Sequence, residues 1–302
     1  MTKNENFKAY LAWISICIIW GTTYLAIRIG VEDLPPILFA GLRWLIAGPI
    51  LFIMLRSKGM PLPKKGDLIP MAIVGLALLG IGNGFVVFAE QSVPSGLTSL
   101  LITTVPFWIV GLETLMPKGA RMNLTILFGL LLGLAGIVLI FGGDLESLFE
   151  PKFFTGVISL MIAVVGWSAG TLYSKYKKVS VHPLMGASVQ MMIAGVFLTI
   201  LGISLGESSS FHFSQDSLIA FVYLIIFGSI IGYTSYIYAV AHLPVSLVST
   251  YAYVNPIIAL FLGWFVLNEK VTIEIFMAAA IILAGVALVK RGTSLKRVKL
   301  IK

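Results

Sequence analysis

Cysteine is almost missing from this 302-residue chain: Cys17 stands alone, so no disulfide can form within it and no thiolate-rich metal site is available. Charge is scarce too, at 11% Asp, Glu, Lys and Arg, where a soluble domain carries about 25%. The three histidines, His182, His212 and His242, fall at predicted loops or span ends with no Glu-x-x-His spacing, and no Gly-x-Ser-x-Gly turn occurs. Catalysis needs a nucleophile with its base, paired acids or metal ligands, so an intramembrane enzyme finds little to work with. A phosphate loop and a soluble ATPase domain are also lacking. Gly82-Asn-Gly84 lacks the third glycine and the preceding strand of a dinucleotide fingerprint, which leaves close helix packing or local bending as its meaning. Neither a metal nor a cofactor is implied.

What fills the space is apolar: 58% of residues are hydrophobic and the mean hydropathy is +1.00. This is the composition of an integral membrane protein, and apolar runs spread from end to end leave no stretch of about 100 residues for a soluble domain. One membrane domain, 1–302, is expected. The first apolar run is too long for the core of a signal peptide and is expected to remain as a span. A crossing helix needs about 20 mostly apolar residues. With that ruler ten runs appear, approximately 9–29, 37–55, 68–89, 95–116 and 124–141 in the first half, and 153–173, 184–205, 218–241, 245–267 and 273–289 in the second.

Basic residues collect on one side, as cytoplasmic loops require. With the N-terminus inside, 17 of the 21 Lys and Arg residues fall on inside segments, among them Lys64, Lys65, Lys118, Arg121, Lys177, Lys178 and the cluster Lys290–Lys302. Acids such as Asp33, Asp144, Glu146, Glu207 and Glu269 fall outside. Both termini are then cytoplasmic, in a multi-pass protein of the cell inner membrane. The net charge of +8 does not indicate a nucleic-acid partner, because the basic tail, 291–302, has no interleaved aromatics and reads as a topology anchor beside anionic lipid.

The chain repeats itself. Ala89–Leu112 returns 150 residues later as Ala239–Leu262, with Pro94 on Pro244, Leu97 on Leu247, Ser99 on Ser249 and Pro106 on Pro256. Trp20 to Arg28 matches Trp167 to Lys175, and Leu134-Ala-Gly matches Leu283-Ala-Gly. Five spans per half is an odd number, so the second half must enter from the opposite side. The repeats, 9–141 and 153–290, are therefore inverted, an architecture common in secondary transporters.

Polar side chains inside a span are costly and usually face the bundle interior. Helical spacing groups Trp20, Tyr24 and Arg28 on one face and Trp167, Thr171 and Lys175 on its counterpart. It also groups Ser99 and Thr103 with Pro106, and Ser249 and Tyr253 with Pro256, the two prolines being expected as paired bends near the midplane. Asn83 corresponds to Tyr233, with Tyr236 a turn on and Asn255 beside Pro256. Together these would surround a cavity for a small-molecule substrate. The competing reading has the hydroxyl and amide groups bonding to their own backbone or a neighbouring helix. Arg28 and Lys175 either snorkel to opposite interfaces or touch substrate. Arg43, two turns into its span, needs a buried partner, with Glu90 and the carbonyls near Pro106 as candidates, and reads as a strut. Glu90 reads as surface-placed at the outer end of its span, the alternative being titration in an outward vestibule. Gly129 and Gly133 form a small-xxx-small surface that either packs internally or supports a homodimer.

The ordered features Ile19-Trp-Gly-Thr-Thr-Tyr24, Gly41-Leu-Arg-Trp44, Gly82-Asn-Gly84 with Ala89-Glu90, and Tyr251-Ala-Tyr-Val-Asn-Pro256 resemble the EamA family of the drug/metabolite transporter superfamily over essentially the whole chain. The resemblance implies an all-α protein of ten transmembrane helices, two inverted five-helix repeats and a central substrate cavity, with export of small organic solutes as its activity. The family's acidic turn is present at Asn268-Glu269, whereas its first-half counterpart, Pro117 to Met122, lacks the acid. The ninth span, with Tyr251, Tyr253 and Asn255, is expected to contribute more to selectivity than the fourth.

Overall fold

The computed structural model of the chain describes residues 3–115, 123–142, 150–177, 179–243 and 245–299. Several expectations fall outside these residues: those on Pro244, Lys118, Arg121, Asp144, Glu146, Lys178, Lys302 and the turn 117–122. Among the described residues every regular element is helical: α1 (Lys3–Asp33), α2 (Pro36–Ser57), α3 (Lys65–Ala89), α4 (Ser95–Ile102), α5 (Val105–Thr114), α6 (Leu124–Gly142), α7 (Pro151–Tyr176), α8 (Pro183–Ser204), α9 (Gln215–His242), α10 (Val245–Val248), α11 (Tyr251–Leu267) and α12 (Ile273–Lys299). Seven helical segments, with α4 and α5 taken together, are long and apolar enough to cross a membrane. Three apolar helices, Leu124–Gly136, Tyr251–Leu267 and Ile273–Val289, are shorter. Large apolar side chains such as Ile53, Phe128, Ile200 and Phe265 point outward, as they must where lipid replaces water as the solvent.

Carboxylates hold the helix N-termini, where unpaired N–H groups and the helix dipole favour negative charge. Glu207 accepts from the amides of Ile37 at 3.3 Å and Leu38 at 2.6 Å, at the start of α2. Glu269 accepts from the Ser95 amide and hydroxyl, each at 2.8 Å, and from the Gly96 amide at 3.1 Å, at the start of α4. Asn268 makes this reach possible: it takes a left-handed conformation, φ 54°, at the end of α11 and turns the chain back. Asp67 accepts from the Ser180 amide at 3.0 Å and its hydroxyl at 2.6 Å, just ahead of α8. All three contacts join one half of the chain to the other.

Glycines bring helix backbones together. A Cβ on Gly41 would stand 2.5 Å from the Thr199 amide nitrogen, and one on Gly195 would stand 2.4 Å from that of Leu45, so α2 and α8 touch main chain to main chain. The same closeness joins α6 to α12, where a Cβ on Gly129 would lie 2.6 Å from the Gly285 carbonyl oxygen. Gly133 is filled by the ring of Phe107, 2.1 Å from where a Cβ would sit. The Gly129–Gly133 surface is thus consumed inside the molecule, and the homodimer reading loses its support.

The two proline-bearing repeats are not simple bends. In the first copy the helix is interrupted at Thr103-Thr104, and Pro106 is the second residue of α5. There a missing N–H costs nothing, since the first turn of a helix has no partner for it. In the second copy the interruption falls at Ser249-Thr250, and Pro256 lies inside the unbroken α11. At these breaks the carbonyls that accept a tightened i−3 backbone N–H also accept a side-chain hydroxyl. Thr103 donates to the Leu100 oxygen, Thr104 to that of Leu101 at 2.8 Å, and Thr250 to that of Leu247 at 2.7 Å.

Candidate functional site

Midway along α3 and α9 the winding loosens into π-helix, over Leu76–Asn83 and Leu224–Tyr233. The two stretches end on corresponding residues of the repeats, Asn83 and Tyr233. Wide turns of this kind displace side chains from ordinary helical register and recur at functional sites. Glycines in both stretches seat a tryptophan from the other half of the chain. A Cβ on Gly82 would lie 2.9 Å from Cε3 of Trp167, and one on Gly232 would lie 2.5 Å from Nε1 of Trp20. The indole N–H of Trp20 donates to the Gly228 carbonyl at 3.3 Å.

Between these elements lies a cavity of about 70 Å³ lined by residues of both halves. Five expected cavity residues, Trp20, Tyr24, Asn83, Trp167 and Tyr233, form its wall. Arg43 lines it too, only 2% exposed, with its guanidinium carbon 4.2 Å from the centroid of the Trp44 ring. The partner of Arg43 is neither Glu90 nor a carbonyl near Pro106. It donates to Oδ1 of Asn83, which also accepts from Trp44 Nε1 at 3.3 Å. The Nε of Arg43 is buried with no hydrogen-bond partner.

Four aromatics close one flank. Trp20 meets Trp167, Tyr236 and Tyr251 with centroids 5.4, 5.1 and 5.2 Å away. Trp167 donates to the Tyr236 hydroxyl at 3.1 Å, and the Thr171 and Tyr236 hydroxyls are paired at 2.6 Å. Thr171 and Tyr236 therefore brace the wall from behind. Tyr233, from the opposite wall, donates to Oε1 of Gln190 at 2.7 Å.

The remaining candidates lie elsewhere. Ser99 donates to the Gly96 carbonyl at 2.6 Å and Thr103 to that of Leu100, so both serve the backbone. Ser249 is buried in the interruption ahead of α11, and Tyr253 packs on the side of Phe107, Val110 and α12. With its amide turned so that the nitrogen faces two carbonyls, Asn255 donates to those of Cys17 at 2.9 Å and Tyr251 at 3.1 Å. Several wall residues were not among the expected cavity candidates, the aromatics Trp44 and Tyr251 foremost, the latter expected only to contribute to the selectivity of its span. Both aromatics belong to a quoted sequence feature, but neither falls on a predicted polar face. Helical spacing fails for Tyr251 because the interruption at Ser249-Thr250 resets the rotation of the chain, taking Tyr253 away from the cavity and bringing Tyr251 to it.

Arg28 and Lys175, matched in the repeats, do matched work. Arg28 donates to the main-chain oxygen of Glu90 at the end of α3. Lys175 donates to those of Val240 at 3.2 Å and Leu243 at 3.3 Å at the end of α9. Cations at helix C-termini complement the unpaired carbonyls and the dipole. Both charges are thus engaged at helix ends, where snorkelling or substrate contact was expected.

Glu90 departs furthest from expectation. It is not at the surface: its exposure is 0%, and neither carboxyl oxygen has a hydrogen-bond partner. The last turn of α3, just before Glu90, is packed against α1, α2 and, most closely, α7. An ionised carboxylate there would bear a desolvation penalty of several kcal/mol on top of its unmet hydrogen bonds, whereas a neutral carboxyl bears only the latter, about 1–3 kcal/mol for each unsatisfied group.

The EamA-like transporter family model matches the chain twice, over residues 7–142 and 154–291. The inner membrane transporter YedA of Escherichia coli strain K12 is 36% identical over 294 residues, covering 97% of this chain and 94% of its own. The transporter YoaV of Bacillus subtilis is 26% identical, covering 92% and 95%. A WAT1-related chloroplastic protein of Arabidopsis thaliana is 26% identical, covering 94% and 70%. Among solved structures, one crystal structure superposes with a TM-score of 0.70 at 22% identity, covering 95% of this chain and 98% of that one.

Proposed function

The chain belongs to the EamA-like transporter family, and from that premise we propose that it is a secondary transporter exporting small organic solutes from the cytoplasm across the inner membrane by alternating access. In this reading the seven long and three shorter apolar helical segments are ten crossings, arranged as two inverted five-helix repeats with both termini cytoplasmic. The distribution of Lys and Arg supports that orientation. Inner-membrane placement is supported by the description of the Escherichia coli relative.

The observation that carries the reading is the cavity between the two halves, with Trp20 and Trp167 seated on each other's π-helical glycines. Its wall offers indole and phenol rings, an amide and one guanidinium, which suits amphipathic solutes bearing a polar group: amino acids, aromatic ones above all, and related metabolites or drugs. At about 70 Å³ it is far below the roughly 300–1,000 Å³ of a solute site. Loading must therefore widen it, and the four-ring cluster is what would part.

A comparison of extracellular metabolites between cells overproducing and lacking the protein identifies the solute. Purified protein in liposomes should then exchange that solute, in labelled form, across the bilayer. Failure to exchange or take up any labelled amino acid or metabolite, under proton gradients of either sign, would overturn the proposal.

A further inference from the structure

Glu90 and Val240 hold the same place in the two sequence copies, one residue beyond the coincident Ala89 and Ala239. Each receives a cation from the first helix of its half through its main-chain oxygen, Arg28 on Glu90 and Lys175 on Val240. Since valine serves in the second copy, this cation contact does not require a carboxyl at that position. The first copy nevertheless buries one there completely, with both oxygens unpartnered.

The charged and titratable groups around it come from three directions: Tyr24 and Arg28 from α1, Arg43 from α2, and Glu269 from the turn after α11. No guanidinium N–H reaches the Glu90 carboxyl, because Arg28 donates to the main-chain oxygen and Arg43 to Asn83. Glu269 opposes a second negative charge and is itself occupied by Ser95 and Gly96. Through-space attraction to two arginines is set against complete desolvation and a like charge, and desolvation prevails when no donor closes the gap.

We propose that Glu90 is a proton-binding site, loaded in this conformation, which exchanges its proton with water when the helices covering it part. On release the Glu90 O–H bond breaks, the proton passes to an entering water as hydronium, and the carboxylate left behind has Arg28 and Arg43 as counter-ions. Rebinding reverses the step as the helices close. The site then couples solute export to a counter-moving proton. That coupling rests on the transport reading above, whereas the bound proton does not.

Infrared spectroscopy of the purified full chain near neutral pH tests the proton directly. The wild type should show a C=O stretching band of a buried protonated carboxylic acid that shifts in D2O and is missing from Glu90→Gln. Absence of any such band from the wild type overturns the proposal without recourse to a variant, and so does a band that Glu90→Gln retains. Coupling is read in liposomes with labelled L-phenylalanine as the probe and an imposed pH gradient. A gradient-dependent flux lost in Glu90→Gln supports the site, and one that Glu90→Gln keeps assigns the coupled proton elsewhere. If no labelled amino acid or metabolite moves under any gradient while the infrared band is present, the transport reading falls and the proton site stands.

Discussion

Trp20 and Trp167 meet edge to face, ring centroids 5.4 Å apart and planes at 82°. Each comes from the equivalent position of one half of the chain and lies against a glycine of the other half. A contact of this kind cannot form within either half alone, so the centre of the molecule depends on both copies of the repeat.

Removing either ring should therefore impair transport. Trp20→Ala and Trp167→Ala are expected to reduce solute flux in liposomes to a small fraction of wild type while abundance in the membrane persists. Large-to-small changes at fully buried tryptophans cost about 3–5 kcal/mol and less at these partly buried rings, and the milder Trp→Phe variants serve as folding controls. Normal flux in both alanine variants would remove the aromatic-cavity idea.

Glycines under the rings should be intolerant of even one methyl group. Gly232→Ala and Gly82→Ala would each force an indole aside, at a cost of about 1–3 kcal/mol. Gly232 should suffer more, its Cβ position being 2.5 Å from Trp20 against 2.9 Å between Gly82 and Trp167. Thermal melting in detergent reads the order. Adding Trp20→Ala to Gly232→Ala should cost less than the two separate losses summed, since the single changes act on one contact.

Arg28 and Lys175 should behave as helix-end supports. Arg28→Met is expected to raise amide hydrogen exchange at the end of α3, and Lys175→Met at the end of α9, each with a loss of about 1.5–3 kcal/mol from a charge-assisted hydrogen bond. Exchange that rises in solute-contacting segments instead would assign these cations to the pathway.

The acids at helix N-termini should rank by the donors they hold. Glu269→Ala leaves two amides and a hydroxyl without a partner, and Glu207→Ala leaves two amides. Capping losses are typically about 1 kcal/mol, so both melting temperatures should fall, that of Glu269→Ala further. Hydrogen exchange should rise at Ser95 and Gly96 in the first variant and at Ile37 and Leu38 in the second.

Period and composition made much of this legible before any coordinates. The apolar runs, the repeat, and the matched pairs of Trp20 with Trp167 and Arg28 with Lys175 follow from residue order, because α1 and α7 are unbroken and their spacing holds. Spacing failed where the helix did. The interruptions at Thr103-Thr104 and Ser249-Thr250 changed which side chains face inward, removing Ser99, Thr103 and Tyr253 from the wall and admitting Tyr251. Depth was misjudged at Glu90 for a different reason. A residue at the end of an apolar run looks like the membrane edge, and nothing local reveals that α1, α2 and α7 pack around it.

The seam between α2 and α8 carries one more consequence. Where Gly41 meets the Thr199 amide and Gly195 meets that of Leu45, the two backbones touch with only the short Thr199 side chain beside the contact. Sliding along that line would drive peptide groups into each other, so the pair behaves as a single beam built from both halves of the chain. Motion elsewhere in the protein is therefore expected to carry α2 and α8 together as one unit.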